Sequence, residues 1–376
     1  MEKIQMVDLV SQYQKIKSEI DKKVIEVMES SAYINGPEVK AFEKELADYL
    51  EVKHVIACAN GTDALQVALM SLGLEPGDEV ITSNFTFAAT AEVIDLLKLK
   101  SVLVDVDPET FNINPKELEK AISPKTKAII PVHLFGQCAN MEAILEIAKK
   151  HDLAVIEDTA QAMGSDFTFS NGETKKAGTM GHLGCTSFFP SKNLGCFGDG
   201  GAIFTNNDDL AYRIRGIANH GMYERYYHDE IGVNSRLDSM QAAILRVKLP
   251  HLEQYNKARR WAANEYDKRF EGNPNISIPK RSENSTHVFH QYTLKIKNAD
   301  RNLLQKYLTE KEIPAMIYYP VPLHQQKAYN RGAYADEQFP ITMDLVEQVI
   351  SLPMHSELSI SQIEKISTNV LNFFNE

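Results

Sequence analysis

Short apolar runs alternate with segments of helical periodicity up to about residue 205. Apolar positions at three- and four-residue spacing predict an amphipathic helix over residues 11–30, and a second helix over 38–50 follows Gly36 and Pro37. The predicted strands are residues 54–57, 79–82, 101–105, 128–133, 154–157, 185–189 and 201–205. The helices predicted between them are residues 63–72, 88–97, 115–121 and 141–151. This alternation predicts an α/β fold whose mainly parallel central sheet lies between helices.

The pattern becomes mainly helical after residue 208, and Pro250 ends one of the helices. The elements predicted beyond that point are a long helix through Trp261, a strand at 287–295, a helix at 301–311, a strand at 315–319 and a terminal helix from Ser361. Two domains are therefore expected: a large one over residues 1–250 and a smaller C-terminal α+β domain over residues 251–376. The helix at 11–30 is a candidate to pack on the small domain.

Composition, charge and cysteine spacing exclude several functional classes for this protein. The net charge of −11 over 376 residues argues against nonspecific nucleic-acid binding, which needs a basic surface. No run of about 18 apolar residues and no signal-peptide core occur, so a cytoplasmic protein without a membrane partner is expected. The cysteines lack metal-binding spacing and are predicted to be buried thiols, with no metal site: Cys58, Cys138, Cys185 and Cys196.

One lysine and one aspartate suggest the chemistry. Asp158 ends the apolar run at 154–157, and Lys192 follows the apolar run at 185–189. Pyridoxal 5′-phosphate chemistry needs this pair, because a lysine amine holds the cofactor aldehyde as a Schiff base while a carboxylate keeps the pyridine nitrogen protonated. Parallel strands place both groups at one edge of the sheet. We therefore predict that Lys192 and Asp158 are the catalytic residues.

The phosphate of such a cofactor needs anion-binding groups. Gly61 and Thr62 lie where a predicted strand turns into a helix, so their backbone N–H groups are expected to point at an anion from the helix N-terminus. An ordinary strand–turn–helix connection is the alternative. Ser187, at the end of the strand before Lys192, is a further candidate phosphate contact.

The cofactor ring needs a stacking surface and a polar contact. Phe87 follows the strand at 79–82 and is a candidate to stack on the pyridine ring, although a core aromatic is the alternative. Gln161 follows Asp158 by about one helical turn and is a candidate hydrogen-bond partner of the ring oxygen. Four glycines between 195 and 201 predict backbone packed closely beside Lys192.

Together these segments resemble the DegT/StrS-type nucleotide-sugar aminotransferases, a branch of the fold type I pyridoxal phosphate enzymes. The resemblance covers nearly the whole chain and rests on segments beginning at Tyr33, Asn60, Phe85, Glu157, Pro190 and Gly232. It implies the fold type I architecture and transfer of an amino group, with glutamate as donor, to a keto-sugar nucleotide. It also implies a homodimer with shared active sites.

The resemblance assigns further residues. Asn234 is implied to reach the cofactor phosphate of the partner subunit, and Arg236 is implied to lie near the partner's sugar. The segment containing Tyr318, Tyr319 and His324 is implied to line the substrate pocket, although many members carry histidine where Tyr318 stands. For Arg213, Arg215 and Arg225, diphosphate binding and solvated helix charges both remain open.

The expected substrate is a 3-keto sugar nucleotide of the UDP-2-acetamido-3-keto-glucuronate type, used in surface polysaccharide or lipopolysaccharide synthesis. The segments 133–137 and 189–195 resemble those of members acting at C3, whereas C4-acting members more often carry histidine where Phe189 or Pro190 stands. A dTDP-3-keto-6-deoxyhexose is the second candidate and a 4-keto sugar the third.

Four other functional classes are considered. Dehydratase relatives carry histidine at the lysine position, which Lys192 contradicts. A non-enzymatic regulator would need an additional module, for which the length leaves no room. A desulfurase would need a mobile reactive cysteine, and Cys196 lies in a glycine-rich turn. An α-amino-acid aminotransferase usually carries an arginine in its C-terminal domain, and none follows Arg331.

Overall fold

The computed structural model describes residues 4–329 and 332–375. Its helices are α1 (Leu9–Ser30), α2 (Pro37–Leu50), α3 (Gly61–Ser71), α4 (Ala89–Leu96), α5 (Pro115–Lys120), α6 (Met141–His151), α7 (Asp208–Ile217), α8 (Ser239–Lys248), α9 (Leu252–Phe270), α10 (Arg301–Glu310), α11 (Pro340–Gln348) and α12 (Ile360–Phe373). Its strands are β1 (His54–Cys58), β2 (Glu79–Ser83), β3 (Lys100–Val104), β4 (Thr126–Ile130), β5 (Ala154–Asp158), β6 (Asp166–Thr168), β7 (Thr174–Lys176), β8 (Leu183–Ser187), β9 (Gly201–Thr205), β10 (Met222–Glu224), β11 (Tyr227–His228), β12 (Ile276–Ser277), β13 (Tyr292–Ile296) and β14 (Val349–Leu352).

The main sheet of the described residues has seven strands in the order β1-β9-β8-β5-β4-β2-β3. Strand β9 runs antiparallel to both of its neighbours, whereas the other pairings in this sheet are parallel. The prediction of an α/β fold with a mainly parallel sheet is therefore confirmed. All seven predicted strands of this sheet occur, with ends that differ by a few residues.

Side-chain alternation along the strands explains why helices cover both faces of the sheet. On β1, Ile56 and Cys58 pack in one core with α3, α4 and α7, while Val55 and Ala57 pack in another with α2 and α8. Helix α6 covers the second face farther along, against Ile129 and Val155. Successive residues of a strand point to opposite faces, so each strand contributes to both cores.

The C-terminal region has its own apolar core. Strands β12, β13 and β14 form an antiparallel sheet, and residues of α9, α10 and α12 pack against it. The predicted strand at 287–295 is thus shorter and later, at Tyr292–Ile296. A domain boundary near residue 250 fits this core and stays a prediction.

The predicted strand at 315–319 is wrong. Among the described residues, Met316 forms a single antiparallel bridge with Ser351, and the chain then leaves the sheet. Tyr318 and Tyr319 face the large cavity described below instead of a sheet neighbour. The apolar run at 315–319 predicted a strand here, but in the structure its last residues pack on a core cluster and line the pocket instead of pairing in a sheet.

The N-terminal helix packs mainly on the large domain. Ile16 and Ile20 of α1 contact Ile244 of α8, whereas only the start of the helix approaches the C-terminal region, where the Gln12 side chain donates to Ser356 Oγ at 3.2 Å. The C-terminal region is contacted by the first two turns, where Lys15 also pairs with Glu357, and packing of this helix on the small domain stays a prediction. Throughout the described chain, each helix is too short or too polar to cross a bilayer.

Candidate active site

A cavity of about 610 Å³ opens at the carboxyl ends of the parallel strands. Four predicted segments reach it, following β1, β2, β5 and β8, and the C-terminal region closes the opposite side. The cavity therefore lies where ligands bind in open α/β sheets. The described lining residues include Asn60, Gly61, Thr62, Thr86, Phe87, Phe135, Asp158, Gln161, Thr186, Ser187, Phe189, Lys192, Asp199, His290, Gln291, Tyr318 and Tyr319.

Asp158 is a buried carboxylate that faces this cavity. One oxygen accepts from the Ala160 N–H at 3.1 Å, and the other accepts from Thr90 Oγ1 at 2.9 Å. Burial raises the pKa of Asp158, while these two hydrogen bonds and the charge of Lys192 oppose the rise. A carboxylate held in this way has lone pairs left for a cationic ligand. Thr90 was not predicted, although it lies three residues after Phe87, in the first turn of α4.

Lys192 also lines the cavity. Burial lowers the pKa of its amine to about 8, and the charge of Asp158 opposes that shift. The Lys192 N–H donates to the Phe189 carbonyl at 2.8 Å, which closes a tight turn beyond β8. A side chain at Gly195 would place Cβ 2.4 Å from the Pro190 carbonyl oxygen, so the predicted close packing of this glycine-rich segment is confirmed. The backbone that carries the amine is thus fixed, and because the pKa is about 8, roughly a tenth of the amine is unprotonated at pH 7.

The N-terminus of α3 supplies an anion site. The Asn60 side chain caps the helix by accepting from the Asp63 N–H at 2.8 Å, while the N–H groups of Gly61 and Thr62 occupy positions that have no partner inside a helix. Gly61 lies so close to β8 that a Cβ there would be 2.6 Å from Ser187 Cβ. The helix end and the Ser187 hydroxyl therefore share one small region, which suits a phosphate group.

The two ring-binding candidates both line the cavity, and both neighbour Tyr319. Phe87 is 57 % exposed although it lines the cavity, and its ring centroid is 6.2 Å from that of Tyr319. Gln161 donates from Nε2 to the Tyr319 hydroxyl at 3.1 Å and accepts from the Phe135 N–H at 2.8 Å. Gln161 is thereby fixed, and one N–H of its amide remains for a ligand.

Two cavity residues were missed from the sequence. His290 and Gln291 precede β13, and His290 is buried with its Nδ1 lacking a partner among the described residues. Burial, aided by the charges of Lys192 and Arg259, holds the pKa of His290 well below its usual range. These residues lie inside the strand predicted at 287–295. Two adjacent polar side chains within that otherwise apolar run were the sequence signal that could have indicated a ligand-facing position.

His324 does not belong to the cavity wall as expected. Its side chain is buried, its Nδ1 lies 2.8 Å from the Asn84 amide and its Nε2 lies 2.8 Å from Asp336. The ring thereby connects the segment after β2 to the segment that follows Tyr319. His324 does not reach the cavity because both of its ring nitrogens already contact side chains within the protein.

Asn234 and Arg236 lie outside the cavity wall that the described residues of one protomer form. Asn234 is exposed and pairs with Asn219 through a β-bridge. Of the three arginines for which diphosphate binding was left open, Arg213 pairs with Glu230 and Arg215 pairs with Glu43. Arg225 donates to the Tyr226 hydroxyl at 3.1 Å. The roles of Asn234 and Arg236 stay predictions.

The cysteines are buried free thiols, as predicted: Cys58, Cys138, Cys185 and Cys196. In the part of the chain that the structure describes, no group of three His, Cys, Asp or Glu side chains is arranged to hold a metal ion.

The residues that line the cavity fit pyridoxal phosphate. A lysine amine, a buried carboxylate with unused lone pairs, a helix N-terminus and an exposed aromatic ring match its aldehyde, ring nitrogen, phosphate and ring face respectively. Fold and site together define a pyridoxal-phosphate-dependent enzyme. Residues 14–371 match the DegT/DnrJ/EryC1/StrS aminotransferase family, and the chain belongs to that family. The protein is therefore an aminotransferase, and its cofactor is pyridoxal 5′-phosphate.

Three characterised relatives are similar over almost their entire length. The chain is 47 % identical to a Geobacillus stearothermophilus "pleiotropic regulatory protein", over 99 % of this chain and 98 % of that one. It is 46 % identical to the Pseudomonas aeruginosa UDP-2-acetamido-2-deoxy-3-oxo-D-glucuronate aminotransferase, over 98 % and 100 %. It is 44 % identical to an Acidithiobacillus ferrooxidans UDP-N-acetyl-3-dehydro-α-D-glucosamine 3-aminotransferase, over 97 % and 96 %.

Solved structures agree with this assignment. The S. venezuelae protein DesV, crystallised in complex with a ketimine intermediate, superposes with a TM-score of 0.94 at 37 % identity, covering 99 % of both chains. The Bacillus subtilis protein NtdA, crystallised with bound cofactor PMP, superposes with a TM-score of 0.91 at 30 % identity, covering 100 % of this chain and 86 % of that one. The fold type I architecture predicted from the sequence is confirmed.

Proposed function

We propose that this enzyme transfers the amino group of glutamate to C3 of a UDP-2-acetamido-3-keto-uronate-type sugar, in the cytoplasm, for the synthesis of a surface polysaccharide. The observation that carries the proposal is the placement of Lys192 and Asp158 in one cavity with the anion site at Gly61 and Thr62. Two relatives whose names specify a UDP-linked 3-keto sugar, at 46 % and 44 % identity, support the substrate class.

The bound cofactor supplies an electron sink that accepts the negative charge formed when a proton leaves the donor carbon. Lys192 is the proton carrier. Because burial brings its pKa to about 8, a useful fraction of Nζ is unprotonated near neutral pH and accepts a proton, which it later returns. Asp158 holds a proton on the ring nitrogen, and Thr90 orients the Asp158 carboxylate.

The remaining cavity residues bind and orient. The N–H groups of Gly61 and Thr62, with the Ser187 hydroxyl, bind the phosphate. Phe87 covers one face of the ring, and Gln161, fixed by Tyr319 and the Phe135 N–H, contacts the ring edge. We expect Tyr318 and Tyr319 to contact the sugar, since they line the cavity on the side of the C-terminal region.

A second copy of the chain completes the site in this proposal. Among the described residues that line the cavity of one protomer, Lys192 is the one lysine or arginine, and it faces the carboxylates of Asp158 and Asp199. A nucleotide diphosphate and a cofactor phosphate need more positive charge than this. Arg236 forms no ion pair with a carboxylate of the described chain and is available to supply this charge, while Asn234 would add an uncharged hydrogen-bond donor.

The surface around Asn234 and Arg236 is suited to a homodimer. Ile231 is 87 % exposed, and the neighbouring hairpin presents Tyr226 and Tyr227 to solvent. Ile34, also exposed, is joined to Asp238 by a β-bridge and extends this apolar surface. Exposed apolar patches of this kind mark interaction sites. We therefore propose a homodimer in which Asn234 and Arg236 enter the partner's cavity.

The experiment uses the purified protein loaded with cofactor. Borohydride reduction followed by peptide mapping is expected to locate the cofactor on Lys192, and Lys192→Ala is expected to lose both this label and turnover. Glutamate is then added, followed by matched 3-keto and 4-keto UDP- and dTDP-sugars. A product whose NMR spectrum places the amine at C3 of the UDP-uronate supports the proposal. An amine found only at C4, or acceptance of dTDP-sugars alone, would overturn the substrate.

The regulatory alternative has one observation in its favour, the name of the Geobacillus relative. A regulator that kept the fold without the chemistry would not need the Lys192 and Asp158 arrangement. The same cofactor-loaded sample distinguishes the two, because a regulator would bind cofactor but would not convert glutamate.

A further inference from the structure

One face of α9 carries two buried polar side chains that contact the active-site segments from behind. Asn256 and Arg259 are 0 % and 3 % exposed, and they lie three residues apart, so they share one face of the helix. The same helix contributes Ala262 and Tyr266 to the C-terminal core. α9 therefore connects that core to the cavity wall.

Asn256 is linked to Lys192 through the next residue. The Asn193 side-chain amide donates to Asn256 Oδ1 at 2.7 Å and to the Val288 carbonyl at 3.0 Å. Asn256 in turn donates from Nδ2 to the Met163 carbonyl at 3.1 Å. Both amides are buried, so their hydrogen bonds are not exchanged for water. Asn256 consequently fixes the backbone that carries Lys192.

Arg259 is linked to a second segment of the cavity wall. Its Nη1 donates to the carbonyls of Phe289 at 3.1 Å, His290 at 3.4 Å and Met354 at 3.0 Å. No carboxylate within residues 4–329 or 332–375 forms an ion pair with it, and its Nε lacks a partner there. Burying a guanidinium whose partners are all uncharged carbonyls lowers the stability of the folded protein. An apolar residue would fill this place at less cost.

We propose that Asn256 and Arg259 are positioning residues for amino transfer. Asn256 sets the place of Lys192 through Asn193, and Arg259 sets the place of His290 through the carbonyls of Phe289 and His290. Neither lines the cavity, so each acts through the residues that do. The inference rests on the proposed role of Lys192, and it assigns to a single helix the spacing between the proton carrier and the wall segment that contains His290.

The test compares apolar and conservative variants. Asn256→Leu and Arg259→Met remove the hydrogen bonds at similar volume, while Arg259→Lys keeps a donor and the charge. We expect each apolar variant to lower kcat about 10- to 100-fold, because a displacement of about 1 Å has this effect on positioned groups. The KM for the keto sugar should change much less, since neither residue lines the cavity. The pH midpoint of the visible cofactor band should shift, and Arg259→Lys should restore part of both properties.

Tyr266→Phe is the matched control. Tyr266 lies on the same helix, is fully buried, and donates to the Pro353 carbonyl at 3.1 Å, away from the cavity. This variant should lower Tm without changing kcat or the cofactor band. If Arg259→Met does not fold, Arg259→Lys carries the test, since its partial loss of hydrogen bonds still predicts a lower kcat and a shifted band.

Two outcomes overturn the proposal in different ways. If Asn256→Leu and Arg259→Lys behave like Tyr266→Phe, with lower Tm but unchanged kcat and unchanged band, the two residues are structural only. If the borohydride label of the unmodified enzyme falls on a lysine other than Lys192, the proposed role of Lys192 fails first and this inference fails with it.

Discussion

Gly61→Ala tests the anion site at the N-terminus of α3. A Cβ at this position would lie 2.6 Å from Ser187 Cβ and 3.2 Å from Ser187 Cα. Both neighbours belong to the end of β8, which cannot rotate aside as a long side chain would. The helix end and the strand end must therefore separate by about 0.8 Å to restore ordinary contact, taken as about 3.4 Å.

The expected loss follows from the groups that this separation moves apart. The N–H groups of Gly61 and Thr62 lie on one side of the contact, and the Ser187 hydroxyl lies on the other. A hydrogen bond to a charged group contributes about 1.5–3 kcal/mol. Loss of one such bond to the phosphate therefore predicts a cofactor Kd about 10- to 100-fold higher.

The measurement is a cofactor titration of the apoprotein, followed by its visible absorbance. Gly77→Ala is the control, because Gly77 has φ +95° with no atom within 4 Å of its Cβ position. That variant is expected to lose about 1–2 kcal/mol of stability through backbone strain while keeping the cofactor Kd. A Gly61→Ala protein that binds cofactor within twofold of the unmodified protein would refute the assignment of this phosphate site.

Asp158→Asn should fold and bind cofactor but react with glutamate on the order of 100-fold more slowly. An amide cannot hold the ring nitrogen protonated, and a two-unit fall in that pKa costs about 2.7 kcal/mol; near-normal rates in a stopped-flow half-reaction would exclude this role. Mixed dimers of Lys192→Ala and Asn234→Ala subunits should recover activity, because each hybrid holds one site free of both changes; verified hybrids without recovery would contradict a role in trans. The rate of cofactor attachment to apoprotein should rise with pH, reach half its maximum near pH 8 and level off at higher pH, since burial lowers the pKa of Lys192 to about 8 and only the neutral amine reacts; a rate still rising steeply at pH 10 would contradict that value.

Most of the sheet and its site edge could be predicted from local pattern. Seven apolar runs predicted the seven strands of the main sheet, because a buried parallel strand is apolar on both faces. The polar residues that follow those runs, such as Asp158 and Gly61, then had to meet at one edge, since parallel strands end on the same side. The sequence also determined which side chains are capable of the chemistry.

The C-terminal half of the site was decided by tertiary structure. The apolar run at 315–319 predicted a strand, but Tyr318 and Tyr319 line a cavity whose other walls come from distant parts of the chain. The expected pocket residue His324 instead binds Asn84, 240 residues away. Such pairings depend on which distant segments come into contact in the folded chain. The spacing of residues within a short segment does not predict those contacts.

The environment of each group was likewise set only by the fold. Nothing near Lys192 in the sequence predicts that burial lowers its pKa to about 8, or that Arg259, 67 positions later, binds the His290 carbonyl in the cavity wall. Residue type determines what a side chain is able to do. Burial and distant hydrogen-bond partners determine its protonation and position, because both depend on the groups that the folded chain places around it.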